Sequence, residues 1–237
     1  MDDITSSIEN KLLCFGADIV GFGDISELPD NIRSGMPIGI SVAVLYPKEI
    51  IQGISVLPTQ EYRTWYDKLN VRLDSIVSSG AETLHQMGWG AIAQTREYVG
   101  SGEISNSTTL PHKTIATRAG IGWIGKCALL VTTKYGSAIR LSSILTDAPI
   151  ETAQATDKSR CGDCMVCAKA CPAGAVSGKL WELGLYRDEF FDPDKCRKTA
   201  RERAKQGIGD ENITICGKCI EVCPHTQKYI NSMGGKG

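Results

Sequence analysis

The sequence predicts an α+β protein in two parts: a mixed helix-and-strand domain over residues 1–150, then a small metal-binding module over residues 151–237. Two observations carry this division. Segments of helical and strand periodicity alternate up to residue 146, and eight of the ten cysteines fall between residues 161 and 223. Between them lies DAPIETAQATDKS, a polar stretch with little periodicity that reads as a linker. A chain of 237 residues with 42% hydrophobic content has the means to bury a core in a domain of that size.

The elements follow in order. Ser6 to Glu9 has capping-box spacing, and Ile8, Leu12 and Phe15 share one helical face. ADIVGFGDI reads as a strand. IGISVAVLYP, apolar, β-branched and bounded by Pro37 and Pro47, reads as a buried one. From Gln60 to Met87, apolar side chains recur at Tyr62, Tyr66, Leu69, Leu73, Ile76, Val77, Leu84 and Met87, the spacing of a long amphipathic helix. Residues 91–110 are rich in Gly, Ser and Thr and are expected to form a loop. Pro111 occupies a first-helical position, and HKTIATRAG makes a short helix that stops at Gly120. CALLVTT and SAIRLSSILT are two further strands joined around Tyr135-Gly136. No internal repeat or low-complexity tract interrupts this order.

Composition narrows the class. A net charge of -1 and a pI near 6.3 give no global attraction to nucleic acid or anionic membrane. No run approaches the ~20 apolar residues needed to span a bilayer. The start, MDDITSSIEN, is acidic and polar, unlike a secretory leader, so a soluble, cytoplasmic protein is expected. In a secreted chain ten cysteines would suggest disulfides. Here their gaps of two and three residues favour metal, because adjacent backbone turns aim several thiolates at one point. Cys14 and Cys127 stand apart on expected core elements and read as small buried hydrophobes.

The first run is Cys161-x2-Cys164-x2-Cys167-x3-Cys171-Pro172. The second is Cys216-x2-Cys219-x3-Cys223-Pro224, with Cys196 alone between them. A four-iron cubane needs four thiolates, and in two-cluster ferredoxins the fourth cysteine of a run ligates the other cluster. On that pattern Cys161, Cys164 and Cys167 take Cys223 for one 4Fe-4S cluster, and Cys171 joins Cys196, Cys216 and Cys219 for a second. Two structural zinc sites are the competing reading. Zinc ribbons space their pairs more widely and give no reason for a proline after the last cysteine.

Gly120-Ile121-Gly122-Trp123-Ile124-Gly125-Lys126 matches G-x-G-x-x-G, yet a dinucleotide fold requires the motif to follow a strand and open a helix. Here a helix leads in and a strand leads out, and Trp123 obstructs close phosphate approach. The segment RAGIGWIGKCALLVTTKYGSAIRLSSILT (residues 118–146), followed by the eight-cysteine pattern with its lone Cys196, instead resembles the epoxyqueuosine reductase family, which shares its core with reductive dehalogenases. The similarity covers roughly residues 111–225.

That resemblance implies a nitroreductase-like α/β domain that binds cobalamin base-off, followed by a ferredoxin-like double-cluster domain that delivers single electrons to the cobalt. It would place Arg118, Gly120, Gly122, Trp123, Gly125 and Lys126 along the corrin, with Lys126 or Arg140 meeting its amide and phosphate fringe. The plain alternative is that the glycines only make a tight helix-to-strand turn. His112 and Lys113, on the short helix leading to the glycines, are candidate contacts, whereas His85 and His225 are not. No D-x-H-x-x-G motif offers a cobalt-ligating histidine. Flavin is the minor alternative cofactor.

The chain departs from the family at the catalytic aspartate. Counting back from Gly120 reaches Asn106; aligning on Arg96, Tyr98 and Val99 reaches Gly100, with the acid Glu103 nearby. Asn106 cannot donate a proton as an acid would. The expectation is therefore a corrinoid-linked reductase of this type that does not act on tRNA, with a corrinoid protein or a small molecule as possible partner or substrate. An electron-transfer protein activating a partner enzyme, and a short tRNA epoxyqueuosine reductase, are the two alternatives. KCRKTARERAK (residues 195–205), with six basic groups and one acidic, is a solvated helix face, a grip on RNA, or a dock for a low-potential ferredoxin or flavodoxin donor.

Overall fold

The computed structural model describes residues 3–99 and 108–232. The chain divides into two compact units that interleave along the sequence. Residues 1–45, 69–122 and 140–156 form the first, and residues 46–68, 123–139 and 157–237 form the second. The last segment of the second unit thus starts seven residues beyond the expected boundary at 150, and two earlier segments join it.

The first unit is built on a four-stranded sheet of order β1-β2-β6-β3. Its strands are β1 (Ile19–Asp24), β2 (Ile38–Leu45), β3 (Ala91–Ala93) and β6 (Ile139–Thr146). β1 pairs antiparallel with β2, and β3 antiparallel with β6. Helix α1 (Ile4–Cys14) is capped by the Asp3 carboxylate, which accepts from Thr5 N, so the expected capping box at Ser6 is not used. α1 buries Ile8 and Leu12. Phe15 and Cys14 fall past the turn that faces the sheet and are exposed, which corrects the reading of Cys14 as a buried hydrophobe.

Short α2 (Asp30–Arg33) follows β1, and α3 (Lys48–Gln52) belongs to the second unit. The long helix α4 (Gln60–Gln86) forms as its periodicity predicts. Leu69, Leu73, Ile76, Val77 and Leu84 are buried, while Met87, beyond its end, is exposed. Gly80 lies where a Cβ would run into Leu12 and Ile144, so α1, α4 and β6 pack without a gap.

The stretch expected to be a loop contains β3 and α5 (Arg96–Val99) before the described residues break off. β3 is only three residues long, too short for periodicity to register. Helix α6 (His112–Arg118), with Pro111 as its N-cap residue, packs on β1 and β2. Residues 147–156 are extended but do not hang free as a linker. Thr156 N donates to Thr117 O, Ala153 N to Phe22 O and Glu151 N to the Thr5 hydroxyl, and Ala148 and Ile150 are buried. Backbone hydrogen bonds to neighbouring elements leave no side-chain period, which is why this segment looked like a linker.

The second unit holds the hairpin β4 (Trp123–Ile124) and β5 (Leu130–Val131). It also holds α7 (Val166–Ala170), α8 (Pro193–Ile208), α9 (Lys218–Glu221) and α10 (Pro224–Asn231). One small core joins Ile124, Ala128, Trp181 and Phe190. Elsewhere Tyr46 stacks on Tyr62 at 5.3 Å and the Tyr229 hydroxyl donates to Tyr46 O at 2.9 Å. After β5 the chain turns through Gly136, whose φ of +58° is left-handed, and the missing side chain leaves room for Thr226 N and Oγ1. Gly136→Ala should therefore cost about 2–4 kcal/mol, from backbone strain plus overpacking. Thermal denaturation of the variant is expected to show a midpoint several degrees lower, and an unchanged midpoint would contradict this packing.

Candidate metal centre

The cysteines sit at turns and short helices that present their thiols inward. Cys164 N closes a turn on Cys161 O at 3.1 Å, α7 carries Cys167, and Cys171 ends α7. In the second run Gly217, at φ +76°, caps α9, which carries Cys219, and a Cβ there would strike Ile54. Cys223 then caps α10, and Pro224 fills its first position, where a missing N–H costs nothing. Cys196 lies in the first turn of α8, whose N-cap Asp192 accepts from Lys195 N. α7 and α9 pack together.

The seven cysteines of the two runs, and Cys196 between them, are half-buried and free of disulfides. Their mutual influence sorts them. Burial, then the neighbouring Cys171 and Cys216, push the Cys196 thiol up to about 11. Cys223 is also raised, chiefly by burial, and Cys161 stands close enough to contribute. Each run thus meets a thiol of the other. Among the described residues no three His, Cys, Asp or Glu side chains converge as a single ion requires. A tetrahedral zinc would need four sulfurs within ~2.3 Å of one point, whereas a cubane holds each thiolate on its own corner. Half-buried thiols supplied by several segments suit the ligation of an iron-sulfur cluster. Only thiolates ligate metal, so binding is coupled to proton release.

Donors are already aimed at three of these sulfurs. Trp123 Nε1 donates to Cys161 Sγ at 3.4 Å, Arg203 Nε to Cys216 Sγ at 3.2 Å, and Ala175 N to Cys171 Sγ at 3.4 Å. Cys127 is buried, as expected, in the neighbourhood of Cys167 and Cys219. Sequence reasoning missed Arg203. Arg203 follows Cys196 by seven residues on one helix, two turns along the same face, which was the available signal.

The residues nominated around the glycine segment have the following places. In the second unit, Trp123 is buried, meets His225 edge-on at 5.1 Å and has Arg160 over its ring at 5.8 Å. Lys126 is buried with its Nζ 3.4 Å from Met165 Sδ. The space beside Gly125 is taken by Val131 and Cys161. In the first unit, Gly120 has a φ of +65° and faces Gln154 O, and Gly122 is that segment's last residue. Arg118 is buried and paired with Glu27 at 2.7 Å. Arg140 donates twice to Asn70 Oδ1, at 2.9 and 3.0 Å. His112 Nδ1 lies 2.8 Å from Ser143 Oγ, and Lys113 is half-buried beside it. Gly120 and Gly125 are thus explained by close chain packing. Asn106, Gly100 and Glu103 lie outside the described residues.

Residues 160–226 match the family described as the 4Fe-4S double cluster binding domain. Epoxyqueuosine reductase of Listeria monocytogenes is 33% identical over 140 residues, covering 56% of this chain and 33% of that protein. That of Pseudomonas aeruginosa is 38% identical over 126 residues, covering 50% and 32%. The chain is similar to epoxyqueuosine reductases over about half of its length. It spans about a third of the length of these two curated relatives. Among solved structures, epoxyqueuosine reductase from Streptococcus thermophilus superposes with a TM-score of 0.59 at 20% identity, over 94% of this chain and 66% of that one. The reductive dehalogenase NpRdhA in complex with 3-bromo-4-hydroxybenzoic acid gives 0.71 at 19% identity, over 93% and 31%. Both structural likenesses show the fold. Among the described residues no helix is long and apolar enough to cross a membrane.

Burial, then the Arg140 cation, push the His112 imidazole down to about 4, with Asp74 opposing. The unfolded chain takes up that proton near pH ~6.5, the folded one only near 4. Stability from this site is therefore complete above the unfolded value and is lost as pH falls from there toward 4. Urea denaturation of wild type and His112→Gln at pH ~7.5 and ~5 checks this. The wild type should lose more stability than the variant on acidification, and equal losses would contradict it.

Proposed function

We propose that this chain is an iron-sulfur reductase that passes single electrons through two 4Fe-4S clusters to a corrinoid held by the first unit. The observation that carries it is the meeting of each cysteine run with a thiol of the other. Cys161, Cys164, Cys167 and Cys223 hold one cluster, and Cys171, Cys196, Cys216 and Cys219 hold the second. Ligation by both runs keeps two clusters near one another, as single-electron transfer requires.

A corrinoid, when bound, supplies a cobalt centre that accepts single electrons and attacks electrophilic carbon. Two supports favour it. One structural neighbour is a reductive dehalogenase described as carrying out B12-dependent dehalogenation. In addition, Asn70 Nδ2 and Gln94 Nε2 are buried in the first unit without a hydrogen-bond partner among the described residues. Such orphaned donors suit the acceptor-rich amide rim of a corrin. His112, Lys113 and Arg140 share that unit and are the nominated residues best suited to the same rim. The sheet with α1, α4 and α6 is the part read as nitroreductase-like.

A low-potential ferredoxin or flavodoxin would dock on α8, which carries Cys196 among Lys195, Arg197, Lys198 and Arg201. Part of that charge is spent internally, since Lys195 pairs with Asp192 and Lys205 with Glu211. The remainder also offsets the negative charge of thiolate-ligated iron.

Reduction of epoxyqueuosine in tRNA is the second reading. It is favoured by the names of the relatives and by a solved family structure with a tRNA-Tyr epoxyqueuosine-modified stem loop. The relatives therefore tell against the expectation that tRNA is no substrate. Mass analysis of queuosine against epoxyqueuosine in tRNA treated with the reduced protein separates the two readings.

Anaerobically reconstituted protein should hold about eight irons per chain, and Cys196→Ala about half of that. Hydroxocobalamin titration, followed by visible absorption, should saturate with a base-off spectrum. Zinc in place of iron would remove the whole reading. Iron without saturable corrinoid would leave the electron-transfer protein, and a flavin spectrum would replace the corrinoid.

A further inference from the structure

Three sulfurs of the metal centre receive N–H groups, but the donors differ in kind. Cys161 is met by the neutral indole of Trp123 at 3.4 Å, and Cys171 by the backbone amide of Ala175. Cys216 is met by the guanidinium of Arg203 at 3.2 Å. That guanidinium is held in place, because its Nη2 also donates to Val56 O and its backbone lies within α8. It stays charged at any working pH. Hydrogen bonds with an ionised donor are roughly twice as strong as neutral ones.

Reduction of a cluster adds one electron, much of whose charge spreads onto the ligand sulfurs. Donors on those sulfurs stabilise the reduced form more than the oxidised one, and so raise the potential. We propose that Arg203 makes the cluster of Cys171, Cys196, Cys216 and Cys219 the more easily reduced of the two, through its charged hydrogen bond to Cys216. The first electron from a low-potential one-electron donor then rests on that cluster, and the second enters the cluster beside Trp123. Arg203 is a positioning residue for charge, and it touches no substrate. The inference rests on the two-cluster reading above.

The test is a mediated dithionite titration of the reconstituted full chain, followed by electron paramagnetic resonance. Wild type should reduce in two one-electron steps. In Arg203→Gln the upper step should move to lower potential, its reduction constant falling about tenfold (~59 mV for one electron), while the lower step stays. Arg201→Gln removes one charge from the same helix, where Arg201 Nε donates to the Thr214 hydroxyl at 3.4 Å. Its shift should be roughly twofold at most, since an exposed charge is screened. Trp123→Phe should move the lower step instead, and Arg203→Lys should fall between wild type and Arg203→Gln.

The proposal is overturned if Arg203→Gln leaves the upper step in place, moves the lower one, or moves it no more than Arg201→Gln does. If Arg203→Gln loses iron, Arg203→Lys decides, and an unshifted upper step there overturns it. Absence of clusters from the wild type is a different failure, that of the two-cluster reading itself.

Discussion

Cys223 stands beside Cys161, and Cys196 beside Cys171 and Cys216, and the ligation proposed above makes each run of cysteines depend on the other. Much of the second unit follows from this constraint. The runs must be brought together by helices short enough to turn within a few residues, and α7 and α9 do this with five and four residues. Such helices bury little surface by themselves, and four-thiolate metal sites can add folding energy to that of the hydrophobic core beside them.

The same constraint explains why polar hydrogen bonds crowd around sulfur. Half-buried thiolates and iron carry negative charge in a region of low dielectric, where donors are worth more than in water. Trp123, Ala175 and Arg203 provide them from three different segments. The basic composition of α8 is part of this electrostatic setting. It need not be a nucleic-acid face, and its pairing with Asp192 and Glu211 shows charge used within the unit.

The long helix, the strands β1, β2 and β6, and the metal module could be read from the sequence because each leaves a strong period or spacing. Features that leave neither escaped. β3 and the two-residue strand β4 are too short to alternate, and β4, which pairs with the expected strand in CALLVTT, was hidden inside a glycine motif. Residues 147–156 are fixed by main-chain hydrogen bonds, to which side-chain patterns are blind. At Gly120 and Gly125 the motif reported a need for close approach. The neighbours are the chain itself, Gln154 at one and Val131 with Cys161 at the other. A glycine reveals that space is tight without revealing what fills it. Arg203 escaped for a related reason: a cation in a basic run looks solvated until the Cys216 sulfur, from another segment, is found against it.

The account's central claim is the exchange of thiols between the two runs. Anomalous diffraction at the iron edge, from anaerobically grown crystals, tests it most directly. It should locate two four-iron clusters, one bonded to Cys161, Cys164, Cys167 and Cys223, the other to Cys171, Cys196, Cys216 and Cys219. Single-metal sites, or a cluster held by Cys161, Cys164, Cys167 and Cys171 without Cys223, would contradict it.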